Sequence, residues 1–191
     1  MFWKTTALLA CAALAMGFAP KPAAPKSPAA TPAPAPAKPP AAPKAVAPLA
    51  DFDARNPASV MALLKLGGAK SEIAGKDADT VLVSVTSVAA NFTLLFASCN
   101  TQGRACKAVQ FDYMDDKPGP TFPQLNAFNQ TSALCRSYED KTGKAHVVYS
   151  TLLFDDDPYE HFRTQTLAWT GCIGDFRNFL KDPNGFLASA P

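Results

Sequence analysis

Acidic residues are missing from the first fifty positions: all 16 Asp and Glu come after residue 50, whereas five of the 18 Lys and Arg come before it. From Asp51 onward the chain carries 13 basic and 16 acidic groups, a net of −3, so the +2 of the whole sequence belongs to its leading segment. A nucleic-acid partner needs a basic stripe on the folded part, and the sequence lacks one. Histidine is scarce too. His146 and His161 are the only two, and neither has a second ligand at metal-binding spacing. His161 beside Asp155, Asp156 and Asp157 comes nearest to a metal site, but three acids ahead of a helix are better used as caps and dipole partners. There is no Gly-rich phosphate loop, no nucleophile elbow and no H-E-x-x-H, and Ser, His and Asp occur without the local signature of a triad. The expectation is therefore no catalytic residue, no metal and no cofactor. Long apolar runs are few as well. Residues 80–98 come closest to a membrane span by hydropathy, yet Asn91 interrupts them and their apolar residues alternate with period two.

Three features stand out against these absences. Met1 to Ala19 places Lys4 before an apolar run ending in small residues, the pattern of a secretory signal; Ala13-Leu14-Ala15 fits its cleavage site, and Leu8-Leu9-Ala10-Cys11 resembles a lipoprotein box. If uncleaved, this segment is the chain's one route to a membrane, although it is shorter than the ~20 residues of a spanning helix. Residues 20–48 are almost wholly Pro, Ala and Lys and hold 11 of the 18 prolines. Such a stretch cannot bury a core and reads as a disordered, extended spacer. Beyond it stand Cys99, Cys106, Cys135 and Cys172, an even count that favours bridges in an oxidising space. The organisation is thus a signal or anchor (1–19), a spacer (20–48), one folded domain (49–183) and a flexible tail (184–191).

The domain centres on Asn91 to Tyr113, NFTLLFASCNTQGRACKAVQFDY. Setting Cys99 opposite Cys106 in an antiparallel hairpin pairs Phe96 with Val109, Leu94 with Phe111 and Phe92 with Tyr113, all on one face. Ala97 with Ala108, Leu95 with Gln110, Thr93 with Asp112 and the cysteine pair then take the other. A one-residue slip would scatter the large side chains over both faces. The pair reads as a cross-hairpin staple, since a redox-active pair usually sits closer together at a helix N-terminus.

Around this hairpin, Asn56 as N-cap and Pro57 at the first position predict a helix over 57–66, stopped by Gly67-Gly68. Glu72-Ile73-Ala74 suits a short edge strand. Residues 80–87 alternate as a strand, with Val85 expected opposite Leu94 and Val83 opposite Phe96. Residues 114–121 read as a loop, and a second helix is expected from Phe122 or Gln124 to Arg136. Ala145 to Phe154 follows as a long strand, and a last helix over 158–181 carries the stripe Phe162, Trp169, Cys172, Ile173, Phe176, Phe179 and Leu180. Cys135 and Cys172 fall on the apolar sides of two helices over one sheet face, where they either bridge or stay as buried thiols; four cysteines allow three connectivities. Asn126, Asn129 and Arg136 offer a polar recognition face on the second helix, or else hydrogen bonds to neighbouring backbone. Trp169 fits the core stripe better than a ligand platform. The fold class is α+β: an antiparallel meander packed against helices.

Asn126-Ala127-Phe128-Asn129, Leu134 and Arg136, Tyr138, Gly143, Phe162 and Trp169, in this order of elements, resemble the YbjN-domain family over most of residues 52–181. Phe128 stands where the family's N-x-W-N has Trp, and three aspartates replace its Gly-rich turn before the last helix. The resemblance implies a fold similar to type III secretion chaperones and a class described as sensory transduction regulators, with no reaction attached. Chaperones of that fold dimerise and clasp extended polypeptides, so it also implies a helix or sheet edge as contact surface, and a protein, an envelope polymer or a second copy as partner. The function expected is a non-enzymatic, periplasmic or secreted binding or regulatory module, chaperone-like. The competing classes are a thiol oxidoreductase or metal-dependent hydrolase, and a structural envelope component anchored through the spacer.

Overall fold

The structure, a computed structural model, describes residues 51–190; the signal and spacer assigned to 1–48 lie outside the described residues. Four helices and six strands follow in the order α1 (Pro57–Leu66), β1 (Lys70–Lys76), β2 (Val81–Thr86), β3 (Asn91–Ala97), β4 (Ala108–Pro118), α2 (Phe122–Thr131), β5 (Arg136–Glu139), β6 (Lys144–Leu152), α3 (Tyr159–Lys181) and α4 (Pro183–Ser189). The strands form one antiparallel sheet ordered β1-β2-β3-β4-β6-β5. This is an α+β fold.

The central hairpin has the register its apolar pattern dictates: Phe96 faces Val109, Leu94 faces Phe111, and pairing runs from Thr93–Asp112 to Ala97–Ala108. Phe92 and Tyr113 lie one step beyond the paired stretch. Val83, Leu94, Phe96, Val109, Phe111 and Val147 are all buried on one face. The α3 stripe covers them, with ring centroids 5.6 Å apart for Phe111 and Trp169 and 6.3 Å for Phe111 and Phe162. Phe128 of α2 joins the same core, 5.5 Å from Phe176. Each of these rings removes a large apolar area from water, about 1.5–3 kcal/mol per fully buried side chain. On the reverse face Leu95 and Tyr138 are exposed.

α1 starts where its cap predicts: the Asn56 side chain accepts from the Ala58 N–H at 3.2 Å, with Pro57 next. Several elements depart from expectation, each for a local reason. The β2–β3 turn is tighter, because Ser87 bonds Ala90 through both its N–H and its hydroxyl. Val83 therefore faces Leu94 and Val81 faces Phe96, two residues from the predicted pairing. A two-residue shift preserves the face, so the core is unchanged. β4 continues through the predicted loop to Pro118, with a register irregularity between Met114 and Pro118 that accommodates the proline's missing N–H.

α2 ends at Thr131 rather than Arg136. The Thr131 hydroxyl donates to Phe128 O, and the Ser132 hydroxyl accepts from the Cys135 N–H at 3.0 Å, so local side-chain bonds replace helical ones. Leu134 is consequently 56% exposed, and Arg136 opens a strand. The hairpin cysteines also leave their expected face. Ser98 and Ala105 adopt positive φ, 53° and 52°, and turn Cys99 and Cys106 into the core. The three aspartates do not cap α3: no side chain caps Pro158, Asp155 pairs with Arg55, and Asp157 accepts from Phe154 N–H and meets His161. The predicted tail folds as α4, capped by Asp182 on the Gly185 N–H, with Phe186 5.8 Å from both Phe128 and Phe179.

Two bridges tie these elements: Cys99–Cys106 and Cys135–Cys172. The second fastens the α2–β5 connection to α3. Two such bridges suit an oxidising, non-cytoplasmic compartment. Among the described residues no helix is long and apolar enough to cross a membrane.

Candidate functional site

Of the three residues expected to form a recognition face, Asn129 and Arg136 bond within the fold. The Asn129 amide donates to Ser137 O at 3.0 Å, and its oxygen accepts from the Ser137 N–H at 2.6 Å, locking α2 to β5. The Arg136 guanidinium donates to the carbonyls of Ser132 and Cys135, which the shortened helix leaves free. Asn126 is exposed and apart from both. The four cysteines of the described residues are in bridges and buried in the core, the setting of inert structural sulfur. His161 Nδ1 lies 2.7 Å from Asp157, and among the described residues no three metal-ligating side chains come together.

A polar cluster lies on the reverse sheet face. His146 Nδ1 is 2.8 Å from Asp112, its Nε2 is 3.6 Å from Asp140, and its ring stacks on Tyr138 with centroids 4.6 Å apart. Burial first, then the Asp112 carboxylate, pushes the Tyr138 hydroxyl up to about 12. Asp140 is held down to about 2, first by the Lys144 N–H and then by the Thr142 hydroxyl. These contacts tie β4 to the β5–β6 hairpin.

An apolar concavity lies between α1 and α3, a groove of about 460 Å³, within the ~300–1,000 Å³ usual for ligand sites. Leu63, Leu64 and Leu66 line the α1 wall, and the tight Ser87–Ala90 turn lines one end. Phe92 and Trp169, with centroids 5.7 Å apart, also line it. The α3 wall is built from Arg163, Thr166, Thr170, Gly174 and Arg177, which share a helix face at three- and four-residue spacing. Its small side chains leave the groove open: a Cβ built on Gly174 meets nothing within 4 Å.

The electrostatics are one-sided. Arg163 and Arg177 are the charged lining residues, and no acid joins them. Arg163 is engaged by Glu160 at 3.1 Å. Arg177 has no carboxylate in salt-bridge range among the described residues. Its guanidinium is held over the Tyr113 ring, 5.1 Å from the centroid, by bonds from Nε to the Tyr113 hydroxyl and from Nη1 to Ala89 O. Trp169 is 1% exposed, and its indole N–H has no acceptor among the described residues. The sequence reading missed this site because it assigned α3 only its core stripe. The signal was the adjacent stripe of small residues between two arginines.

Compared with family models, with curated proteins and with solved structures, the chain matches none, and the site has to be read from its own residues.

Proposed function

We propose that the chain is a non-enzymatic, exported binding or regulatory module of the bacterial cell envelope, periplasmic or secreted and chaperone-like, whose guest lies in the α1–α3 groove. The observation that carries this reading is the groove itself, with apolar walls, an open small-residue side and cations alone among its charged residues. Such a surface suits an apolar chain with anionic character. The resemblance to the YbjN-domain family supports the same reading, and the bridged cysteines suit export.

Photocrosslinking from two positions tests it. A crosslinker at Leu167, an exposed groove residue, is expected to give discrete adducts in the exporting cell that disappear when Gly174→Phe fills the groove. The same group at Leu95, on the reverse sheet face, is expected to give none. Equal labelling from both positions, or adducts indifferent to Gly174→Phe, would refute the groove as the binding site. Turnover of a small substrate by the isolated protein would refute the non-enzymatic assignment.

A further inference from the structure

We infer that the groove's guest is the carboxyl-terminal end of an apolar polypeptide, held in extended form with its terminal carboxylate on Arg177. The inference rests on the groove being the binding site and adds the chemistry of the occupant. Its starting point is an arginine that the fold orients but does not neutralise. Nε and Nη1 of Arg177 are spent on the Tyr113 hydroxyl and Ala89 O, and Nη2 carries no bond among the described residues. A fixed guanidinium with part of its fork free, at the end of an acid-free groove, matches a carboxylate.

The second observation lies farther along the groove. The Trp169 indole N–H is buried without an acceptor among the described residues, and a buried donor left unpaired is unfavourable until a partner arrives. Trp169 and Arg177 are eight residues apart on α3, about 12 Å at ~1.5 Å per residue. An extended chain covers that distance in three to four residues at ~3.3 Å each. A peptide anchored by its carboxylate at Arg177 therefore brings a backbone carbonyl to the level of Trp169. A plain hydrocarbon chain has no acceptor to offer there. From Arg177 to Tyr159 at the far end, the α3 wall is about 27 Å long, room for roughly eight extended residues. The walls Leu63, Leu64 and Phe92 select apolar side chains, and the free carboxylate sets direction and register.

The test uses the full chain with Trp3→Phe, leaving Trp169 as its one tryptophan. Its emission is followed during titration with the N-acetylated octapeptide Ala-Val-Thr-Leu-Ala-Val-Ala-Leu, as free acid and as carboxyl-terminal amide. The free acid is expected to bind at least tenfold more tightly. Arg177→Gln is expected to erase that preference, Arg177→Lys to keep part of it, and Gly174→Phe to abolish binding of both peptides. Gly171→Ala, outside the groove, is expected to change neither. Equal affinity for acid and amide, with Gly174→Phe still blocking both, would overturn the carboxyl-terminal assignment while leaving the groove as the site. Hexadecanoate displacing the peptide and binding more tightly would overturn it in favour of a lipid acid. Peptide binding indifferent to Gly174→Phe would overturn the groove reading as well.

Discussion

Tyr138 and Asp140 are two residues apart, and the fold shifts them in opposite directions, which gives each its own window of pH-dependent stability. Asp140 falls from 3.8 to about 2 because the folded state offers its carboxylate the Lys144 N–H and the Thr142 hydroxyl. A depressed acid contributes stability that is complete above the unfolded value and disappears as pH drops through the folded one. The loss belongs between pH 4 and 2, and Asp140→Asn is expected to shrink it in urea titrations across that range. Tyr138 rises from 10.0 to about 12, so between those values the folded state keeps a proton that the unfolded state has released. Stability there falls with pH, and Tyr138→Phe is expected to flatten the fall. The backbone at Ser98 and Ala105 is a second residue-scale feature, with both in the left-handed region that disfavours a Cβ. Relief of about 1–2 kcal/mol, less about 0.4–1 kcal/mol of added unfolded-chain entropy, leaves Ala105→Gly stabilising by up to ~1.6 kcal/mol in denaturant melts.

The elements separate into those set by local patterning and those set by partners. α1 was legible because Asn56, Pro57 and Gly67-Gly68 punctuate it, and the β3–β4 register because large side chains alternate on both sides of the cysteines. The end of α2 was not, because hydroxyl groups at Thr131 and Ser132 compete with helical bonds only once β5 is in place to take Arg136 and Ser137. β4 passed through a segment that reads as a loop because β6 offers it a partner as far as Lys144. α4 was missed because Phe186 is an isolated apolar residue in sequence and a core contact in space. The two bridges close loops of unequal length, with separations of 7 and 37 residues. Loop entropy alone assigns about 2.5 kcal/mol to the first and about 4 kcal/mol to the second. Replacing Cys135 and Cys172 together by Ala is thus expected to lower the unfolding free energy more than the same change at Cys99 and Cys106. On α3, Gly171→Ala meets no obstacle and is expected to stabilise by about 0.8–1 kcal/mol.

At the scale of the whole molecule, α3 packs on the sheet through one shared core, and the groove lies between α1 and α3. Placing this site required the three-dimensional arrangement. Leu63, Ala89 and Arg177 come from three separate stretches of sequence, and only the tight Ser87–Ala90 turn brings the second beside the third. Of Asn126, Asn129 and Arg136, the residues that sequence reasoning offered as a recognition face, the last two bond within the α2–β5 region, away from the groove. The most direct test of this account is the ¹⁵N resonance of the Trp169 indole in the full chain carrying Trp3→Phe, recorded before and after the octapeptide acid is added. The account predicts that this resonance moves while the amides of Ser84, Gln110 and Tyr138 on the reverse sheet face hold still. A stationary indole, with shifts confined to those sheet residues, would contradict it.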